Sequence, residues 1–433
     1  MSSVTDKKKH SFYALDNAGF LYTAIASSRM SAVYRMSAGL TKDVDPQILQ
    51  QALDHVITRF PYFQVTLKRG FFWYYYEHTD QKPEVEAESH YPCKNMRQRQ
   101  GKTFPFRVLY FKRYIHLEFN HSLCDGGGGI IFLQTLLIEY FRLQKGIVPA
   151  EIGIAKDLAS EVDPQEFEDS FKVYYKEKVP PPSGIKKVYH FDFELLNKGE
   201  YLLLTGKVPL EPIYRLAKEN KCSITQYILA LYMESIQDYI KNSSLSERQK
   251  RRQRIAINLP VDLRKMFSSI TLRNFFISLS PDLDLSMGYY SREEIIEQIK
   301  GYMGLYMNKK HIYRYISRNI RNEKFIVLRV IPLWIKKIAM PIIYKLYGER
   351  GYTSGLSNLG LVRLPAEIEG LVDSIEVFPA PSSESRLKMV MISYKNQIAL
   401  SFGKTSADTS IERLFFTKIR ELGIPVKIET NKR

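Results

Sequence analysis

The sequence predicts an α/β protein built from two related domains. Predicted strands alternate with predicted helices in both halves of the chain, which is the order expected of α/β folds. The 433 residues exceed the length that one hydrophobic core usually supports. A charged segment at residues 155–187, which contains three consecutive prolines, separates the halves and predicts a linker. We therefore expect an N-terminal domain at residues 1–180 and a C-terminal domain at residues 181–433.

The first half begins with a predicted strand at residues 31–39, which an amphipathic helix follows. Asp45 is the expected cap of this helix, and Pro46 lies in its first turn, where proline is favoured. The apolar residues of the helix recur at helical spacing and predict one buried stripe, formed by Leu49, Ala52, Leu53, Val56 and Ile57.

Two pairs of strands complete the first half. Residues 63–68 and 71–77 predict a hairpin around the turn at 69–70. Residues 106–111 then pair with residues 114–120, and this last strand leads into the segment that bears most directly on function.

The second half repeats the alternation of strands and helices. Its predicted elements are strands at 187–195 and 201–208, helices at 211–220 and 224–240, a strand ending at Asn258, helices from 292 to about 347, strands at 354–362, 374–378, 388–394 and 397–402, and a helix at 410–422.

The strand at residues 114–120 has one inward face. Ile115, Leu117 and Phe119 alternate with more polar residues, at the period of a half-buried strand. Continuing this alternation places His121 on the inward face, where the chain turns. A histidine in this position can take a proton from an incoming nucleophile.

An aspartate and a run of glycines follow this histidine. Asp125 lies four residues after His121, close enough in sequence to turn back and fix the local geometry. The four glycines at 126–129 let the backbone pass close to another group, and they open an apolar helix at about 130–141.

Three alternatives to a catalytic histidine follow from the same residues. A lone inward histidine is more often a hydrogen-bonded core residue. A glycine run can bind phosphate. No Gly-Lys-Ser/Thr follows here, so the run is not the phosphate-binding loop of a nucleotide hydrolase. Cys93, Cys124 and Cys222 are scattered, and no second His/Asp pair lies at ligand spacing, so we expect no metal site.

The string His121-x-x-x-Asp125-Gly126 at a strand-to-helix turn resembles the signature of the CoA-dependent acyltransferase superfamily. This superfamily includes chloramphenicol acetyltransferase, plant hydroxycinnamoyl-type transferases, condensation domains of nonribosomal peptide synthetases, wax-ester synthases and alcohol acetyltransferases. Many members have a second histidine directly before the first, and Asn120 stands there instead. Strand phase points Asn120 away from His121, so we expect it to support the turn and leave the chemistry intact.

Two later segments extend the resemblance over most of the chain. Residues 257–264, Ile-Asn-Leu-Pro-Val-Asp-Leu-Arg, and the Asn-Phe at 274–275 resemble the second-half element of the superfamily. Residues 353–360 contain Ser-Asn-Leu-Gly and resemble the element of the alcohol acetyltransferase and mycobacterial polyketide-associated branches. The plant-type Asp-Phe-Gly-Trp-Gly is absent. The chain is therefore most similar to the alcohol acetyltransferases.

The resemblance implies two chloramphenicol-acetyltransferase-like α/β sandwich domains, with a tunnel between them and the histidine near its middle. It also implies direct transfer, in which His121 accepts the proton of the acceptor and passes it to the departing CoA thiolate. Acyl-CoA is then a co-substrate, and we expect no permanently bound cofactor. Cys124 matches a spacer position of the signature, so we do not expect it to be a nucleophile.

The resemblance also assigns supporting roles. The aspartate, here Asp125, pairs with an arginine and holds the turn together with Gly126; Arg264 is the candidate partner, with an ordinary surface pair as its alternative. A tetrahedral intermediate needs a donor for its oxyanion. Thr353, Ser357 and Asn358 are the candidates for this role or for substrate binding, and each is equally able to cap a strand end.

Composition and cysteine use indicate the environment of the protein. Hydrophobic residues make up 45% and charged residues 25%, as in soluble globular proteins. Residues 1–10 are polar and do not form a secretory leader, so we expect a frayed tail there. Because the three cysteines are dispersed, the expected location is the reducing cytoplasm.

The most apolar stretch, residues 325–346, does not have the pattern of a membrane-spanning helix. Charges and prolines interrupt it at Arg329, Pro332, Lys336, Lys337 and Pro341. A pair of basic amphipathic helices packed on the second domain is the favoured interpretation. Peripheral contact with a membrane surface, or with a lipid-like substrate, is the alternative.

The net charge of +17 calls for an anionic partner, although a partner such as CoA needs only a few of the 63 lysines and arginines. We expect the rest to form a solvated surface with a weak attraction to anionic membranes. The basic residues are spread along the chain, and the densest internal cluster, at 250–254, lies in no nucleic-acid-binding motif, so we expect no nucleic acid. A basic entrance would attract the phosphates of CoA, and it would attract an acidic carrier protein equally well.

Three functions stay open on the sequence. The favoured one is an acyl-CoA-dependent O-acyltransferase like the alcohol acetyltransferases, with a short acyl group, in the first place acetyl. The second is a stand-alone condensation-type enzyme that moves an acyl group from a carrier protein to an amine or hydroxyl. The third is a non-catalytic scaffold of the same fold, against which the intact His121 and Asp125 weigh. No motif encodes acyl length, acceptor or oligomeric state.

Overall fold

The structure is a computed structural model, and it describes residues 12–27, 30–96, 103–180, 182, 186–243, 249, 252–324, 330–347 and 349–431. The polar tail at 1–10, the first part of the apolar stretch at 325–329, and Lys250 and Arg251 of the basic cluster lie outside the described residues.

The first half of the chain forms strands and helices that end with a long helix and a short helix. They are β1 (Phe12–Ala14), α1 (Asn17–Ile25), β2 (Val33–Leu40), α2 (Pro46–Arg59), β3 (Val65–Arg69), β4 (Tyr74–His78), β5 (Val85–Ala87), β6 (Phe106–Phe111), β7 (Tyr114–Asn120), α3 (Gly126–Lys145) and α4 (Ser170–Val173).

The second half of the chain contains more helices and strands than the first. Its elements are β8 (Leu202–Pro209), α5 (Leu210–Glu219), α6 (Ile224–Asn242), β9 (Arg254–Asp262), α7 (Arg264–Phe267), β10 (Phe276–Leu279), β11 (Asp282–Asp284), α8 (Arg292–Tyr306), α9 (Lys309–Lys324), α10 (Leu333–Tyr347), β12 (Ser354–Val362), α11 (Ala366–Glu369), β13 (Val372–Phe378), β14 (Leu387–Tyr394), β15 (Gln397–Lys404), α12 (Ser410–Glu421) and β16 (Lys427–Thr430).

Two large sheets define two lobes. The sheet of the first lobe has the order β13-β2-β7-β6-β5, and that of the second lobe has the order β10-β9-β12-β14-β15-β8-β16, with β11 beside β9. A small sheet, β1-β4-β3, belongs to the first half of the chain. Helices α2 and α3 pack on the first sheet and α6 and α12 on the second, each over its own apolar core. The α/β class predicted from the sequence is thereby confirmed.

Strand β13 crosses from one lobe to the other. It comes from the second half of the chain but pairs antiparallel with β2, with Ile375 opposite Ala38. By its position in the sequence β13 would belong to the second lobe, but it lies in the first, because its apolar face completes the first sheet. Apart from β13, the division into domains at residues 1–180 and 181–433 stays a prediction.

Strong periodicity gave accurate element bounds. The strands predicted at 106–111, 114–120 and 354–362 are confirmed to the residue. Helix α2 begins at Pro46 under the cap of Asp45, whose carboxylate accepts from the backbone N–H groups of the first turn. The predicted stripe of α2 is buried in full.

The strand predicted at 187–195 is wrong. Within the described residues this stretch makes one isolated bridge, from Leu195 to Ser406. Tyr189, Phe191 and Phe193 are buried. The alternation of apolar residues indicates that one face of the segment is buried. A strand also needs a neighbouring strand whose edge is free for backbone hydrogen bonds.

The segment at 155–187, predicted as a loose linker, is partly ordered against the first lobe. The carboxylate of Glu166 is buried and accepts from both terminal nitrogens of Arg59, at 2.8 and 2.9 Å. Lys156 and the hydroxyl of Tyr62 donate to the same carboxylate, each at 2.7 Å. The many charged residues of this segment led to the prediction of a solvated linker, but charges that are paired and hydrogen-bonded can be buried.

Candidate active site

The turn after β7 is held by both lobes. The backbone N–H of His121 donates to the carbonyl of Ala32 over 2.7 Å. Its carbonyl accepts from Nδ2 of Asn274, on a loop of the second lobe, over 2.8 Å. Because both backbone groups are bonded, the position of the histidine is fixed where the lobes meet.

Two tyrosines flank the imidazole of His121. The ring of Tyr22, from α1, stacks on it with centroids 4.8 Å apart and an interplanar angle of 21°. The ring of Tyr34, from β2, lies 4.5 Å away and is tilted by 43°. The hydroxyl of Tyr34 donates to the carbonyl of Asp125 over 2.8 Å, which anchors this ring. The imidazole therefore has a defined orientation.

The surroundings of His121 favour its neutral form. Burial, and after it the positive charge of Lys388, lowers the pKa of His121 to about 3. The Nδ1 atom is buried and makes no hydrogen bond to any residue that the structure describes. A neutral imidazole without a protein partner on Nδ1 can accept or donate a proton as a bound substrate requires.

Asp125 is turned into the protein structure. Its Oδ1 accepts from the N–H groups of Gly127 and Gly128, at 3.0 and 3.2 Å, and so caps helix α3. The same oxygen accepts from Nη2 of Arg264 over 2.8 Å, and Oδ2 accepts from the N–H of Phe275 over 3.0 Å. With both oxygens engaged, Asp125 can hold the turn.

Arg264 ties together the elements around Asp125. Besides the carboxylate of Asp125, it donates to Oδ1 of Asp262 over 2.8 Å and to the carbonyls of Thr271 and Arg273 over 2.7 and 2.6 Å. The structure thus brings together the aspartate and the arginine that the sequence proposed as partners. Arg264 lies in the second lobe, so the pair also joins the lobes.

Two of the glycines permit close approach of the second lobe to α3. A Cβ on Gly126 would lie 2.6 Å from a terminal carbon of Leu359, in the Ser-Asn-Leu-Gly segment. A Cβ on Gly128 would lie 2.3 Å from the carbonyl oxygen of Leu272. The glycine run therefore meets the protein's own second lobe.

Thr353 and Asn358 use their polar groups within the fold. The N–H of Thr353 donates to the carbonyl of Ala256 over 2.7 Å, and its hydroxyl accepts from the N–H of Ala256 over 3.3 Å. The amide of Asn358 donates to Thr225 over 2.7 Å and accepts from the N–H of Gly360 over 2.8 Å.

Ser357 differs from these two candidates. It lies half-buried on β12, beside Val390 of β14. Its hydroxyl makes no hydrogen bond to the part of the chain that the structure describes. Of the three candidate oxyanion donors, Ser357 is therefore the one whose hydroxyl stays available.

Asn120 and Cys124 complete the turn. The side-chain oxygen of Asn120 accepts from the N–H and the hydroxyl of Ser122, at 3.0 and 2.7 Å, which is a local turn-stabilising arrangement. The sulfur of Cys124 is buried 3.3 Å from the hydroxyl of Tyr34, and burial raises the pKa of the thiol well above its usual value. A thiol that stays protonated is a poor nucleophile.

Asp16 belongs to the site but was not found from the sequence. It caps α1 by accepting from the N–H of Gly19 over 2.6 Å, and it accepts from Nδ2 of Asn274 over 3.2 Å. Burial raises its pKa to about 6, although Arg273 opposes the shift. An aspartate before a helix is an N-cap signal, so the sequence did contain a hint of this element.

Lys388 and Glu349 form a second polar group beside the site. Nζ of Lys388 lies 2.8 Å from Oε1 of the buried Glu349, which also accepts from the N–H and hydroxyl of Ser385 at 3.2 and 3.1 Å. Glu349 contributes, after burial, to raising the pKa of Tyr22. A charged pair therefore lies within electrostatic reach of both stacked rings.

No group of three or more metal-ligating side chains occurs among the described residues. Within the same residues, no helix combines the length and the hydropathy needed to cross a bilayer. The three cysteines are unpaired, and the cytoplasmic location stays a prediction.

Comparison with known proteins identifies the fold. No family model matches the sequence, and no curated protein matches it. Among solved structures, polyketide synthase associated protein 5 from Mycobacterium tuberculosis is similar at a TM-score of 0.58 and 10% identity, over 94% of this chain and 96% of that one.

Two further solved structures are similar over nearly their whole length. Trichothecene 15-O-acetyltransferase from Fusarium sporotrichioides has a TM-score of 0.58 and 11% identity, over 95% of this chain and 94% of its own. A variant of the starter condensation domain of rhizomide synthetase RzmA, in complex with C8-CoA, has a TM-score of 0.57 and 13% identity, over 95% and 94%. The chain therefore has the two-lobed α/β fold that condensation domains share with this acetyltransferase.

Proposed function

We propose that this protein is an acyltransferase that moves an acyl group, in the first place acetyl, from acyl-CoA to the hydroxyl of an alcohol. The observation that carries the proposal is His121. It is fixed by both lobes, flanked by two aromatic rings and kept neutral by burial, and its buried Nδ1 has no partner among the described residues.

The reaction is a direct transfer. The acceptor oxygen attacks the thioester carbonyl while the imidazole of His121 takes the hydroxyl proton. A C–O bond forms, the carbonyl becomes a tetrahedral oxyanion, and the C–S bond then breaks. The imidazolium returns the proton to the departing thiolate, so the products are an ester and free CoA. Cys124 takes no part, because its buried thiol stays protonated.

The surroundings of His121 bear on the proton transfers. Burial and the cation of Lys388 disfavour the imidazolium, so the resting imidazole is neutral and the proton is readily returned to the leaving thiolate. The oxyanion needs a donor, and Ser357 has an available hydroxyl on β12, the strand whose Leu359 approaches Gly126. Asp125, Gly126 and Arg264 serve the geometry of the turn, whereas Thr353 and Asn358 serve the strands in which they lie.

The donor is supported by charge and by analogy of fold. A chain with a net charge of +17 attracts the phosphates of CoA. The similar condensation domain was solved in complex with C8-CoA. That fold also supports a second candidate, in which a carrier protein delivers the acyl group to an amine or a hydroxyl. A non-catalytic scaffold is the third, and the geometry of His121 weighs against it.

A donor-by-acceptor assay distinguishes these functions. Purified protein is incubated with acetyl-CoA and a panel of alcohols and amines, and free thiol and acylated product are measured together. Parallel reactions supply the same acyl group on a phosphopantetheinylated carrier protein. We expect thiol release with alcohols and a matching amount of ester. Transfer from the carrier alone would favour the condensation-type enzyme, and no transfer from either donor would favour the scaffold.

A further inference from the structure

One surface of the protein exposes large apolar side chains that no described residue covers. They lie on the turn between β3 and β4 and on and just before helix α10, and we call them the apolar patch: Phe71, Phe72, Val330, Trp334, Ile335 and Ile338. Phe71 is 70% exposed, Trp334 58% and Ile338 65%. Trp334 and Ile338 are four residues apart, so they share one face of α10.

The two parts of the apolar patch are joined to each other. The backbone N–H of Leu333 donates to the carbonyl of Phe71 over 2.8 Å. Nζ of Lys336 donates to the carbonyl of Phe72 over 2.9 Å and lies 3.6 Å from the ring centre of Trp73. Leu333 and Lys336 are buried on the inner side of the helix. The turn and the helix therefore present one continuous surface.

The exposed charged residues that flank the apolar patch in sequence are basic. Arg69 and Lys337 are exposed at its rim. The sequence contains no acidic residue from 65 to 76 or from 325 to 347. Lys68 pairs with Glu77 over 3.0 Å and Lys336 is buried, so Arg69 and Lys337 supply the exposed charge that the structure describes there. Aromatic and aliphatic side chains beside lysine and arginine are the composition of a surface that lies on a membrane.

We propose that the apolar patch docks the protein on the surface of an anionic phospholipid bilayer. The apolar rings enter the boundary between headgroups and acyl chains, and the exposed basic side chains are attracted to the anionic headgroups. An exposed patch of this kind marks an interaction site more often than it is incidental. An acidic carrier protein would match the charge but not the protruding aromatic residues, and a second copy would bring the same positive charges together.

The apolar patch lies next to the candidate active site. The ring of Phe20, in α1, lies 4.8 Å from that of Trp73, and Lys336 lies over both rings. Tyr22, which stacks on His121, is two residues further along α1. When the protein is docked on a bilayer, α1 would therefore lie on the side of the protein that faces the bilayer. Docking itself requires no turnover, so the proposal stands independently of acyl transfer.

Vesicle co-sedimentation tests the proposal. The full-length protein is mixed with vesicles of phosphatidylcholine alone or of phosphatidylcholine with phosphatidylserine, at low and high salt. We expect binding to the mixed vesicles that weakens with salt. The triple variant Phe71→Ser/Trp334→Ser/Ile338→Ser should lower the partition coefficient by about tenfold or more. All three side chains are exposed, so its unfolding midpoint should stay close to that of the parent protein.

A matched control keeps the number of apolar side chains equal. Val148, Val173 and Met287 are also exposed and lie outside the apolar patch, and their triple replacement by serine should leave vesicle binding unchanged. Equal loss of binding in both triple variants would overturn the proposal. An absence of vesicle binding by the parent protein would also overturn it. Self-association, or capture of an acidic carrier protein, that the patch variant abolishes would then assign the surface to a second copy or to a carrier.

Discussion

Nη2 of Arg264 lies 2.8 Å from Oδ1 of Asp125, and this contact joins the turn that carries His121 to the second lobe. Both side chains are largely buried, at 13% and 8% exposure. A buried pair of this kind adds little over a well-packed apolar pair, but removing one partner leaves an uncompensated charge. The contact therefore makes the geometry of the site dependent on the stability of the interface between the lobes.

Replacing Arg264 tests this dependence. We expect Arg264→Met to lower the free energy of unfolding by about 3–5 kcal/mol, because the carboxylate of Asp125 loses its cation. Urea denaturation measures the change. The control is Arg113→Met, which breaks the exposed pair with Asp373 (2.6 Å) and should cost about 1 kcal/mol or less. Similar costs for the two variants would show that the interlobe pair has no special structural weight.

The approach of the lobes at α3 predicts different outcomes for two glycines. Gly128→Ala places a methyl group 2.3 Å from a backbone oxygen, which cannot move alone, and should cost about 3 kcal/mol. Gly126→Ala meets only the end of the Leu359 side chain, and the gain in helix propensity of about 1 kcal/mol offsets the contact. Thermal unfolding of both variants checks the order. A larger loss of stability in Gly126→Ala than in Gly128→Ala would contradict the described packing.

The stacked ring of Tyr22 should act on rate through the orientation of His121. Tyr22→Phe keeps the ring and should keep kcat, whereas Tyr22→Leu removes the stack. An aromatic contact contributes about 0.5–1.5 kcal/mol, so we expect kcat to fall by up to about tenfold in Tyr22→Leu. KM for the acyl donor should change less than kcat. Equal kcat values for the leucine and phenylalanine variants would remove Tyr22 from the positioning of the base.

The pKa of His121 predicts the pH dependence of the reaction. The base must be unprotonated, and because burial lowers its pKa to about 3, protonation should remove activity only as the pH falls towards that value. We therefore expect no limb of kcat/KM from His121 between about pH 5 and pH 8. Steady-state kinetics over this range measure it.

Asp16 is the control for that profile. Its pKa, raised by burial to about 6, places its ionisation inside the measured range, so a limb near that pH is expected to come from Asp16. Such a limb should disappear in Asp16→Asn. A limb between pH 6 and 7 that persists in Asp16→Asn would show that the site does not depress the pKa of His121.

Sequence periodicity sufficed for the elements that deliver His121. The alternation in β7 and the stripe of α2 are local patterns, so the bounds of β7, the start of α2 and the buried faces of both could be predicted. The opposite face of β7 could not. Alternation places Glu118 on the face opposite Leu117, and Glu118 is fully buried there because Arg35 and Arg107 pair with it. Burial of a polar face depends on partners that are distant in sequence.

The site itself was predictable only in part. The motif supplied His121, Asp125 and Gly126, and a resemblance supplied Arg264 as the candidate partner of Asp125. Tyr22 gave no signal, because its role arises from the packing of α1 on the turn after β7. Thr353 and Asn358 were chosen by residue type, and only the fold shows that their polar groups bond Ala256, Thr225 and Gly360.

The central claim is that His121 is the general base, and a pair of histidine variants tests it most directly. His116 lies on β7, the strand that leads to His121. It is also buried, with Nδ1 2.8 Å from the hydroxyl of Ser37, and it is outside the site. Thiol release from acetyl-CoA with an alcohol acceptor is measured for His121→Ala and His116→Asn, after circular dichroism shows that each is folded. We expect His121→Ala to lose about 10²–10⁴-fold in kcat. His116→Asn should keep its activity, and parental turnover by folded His121→Ala would contradict the mechanism.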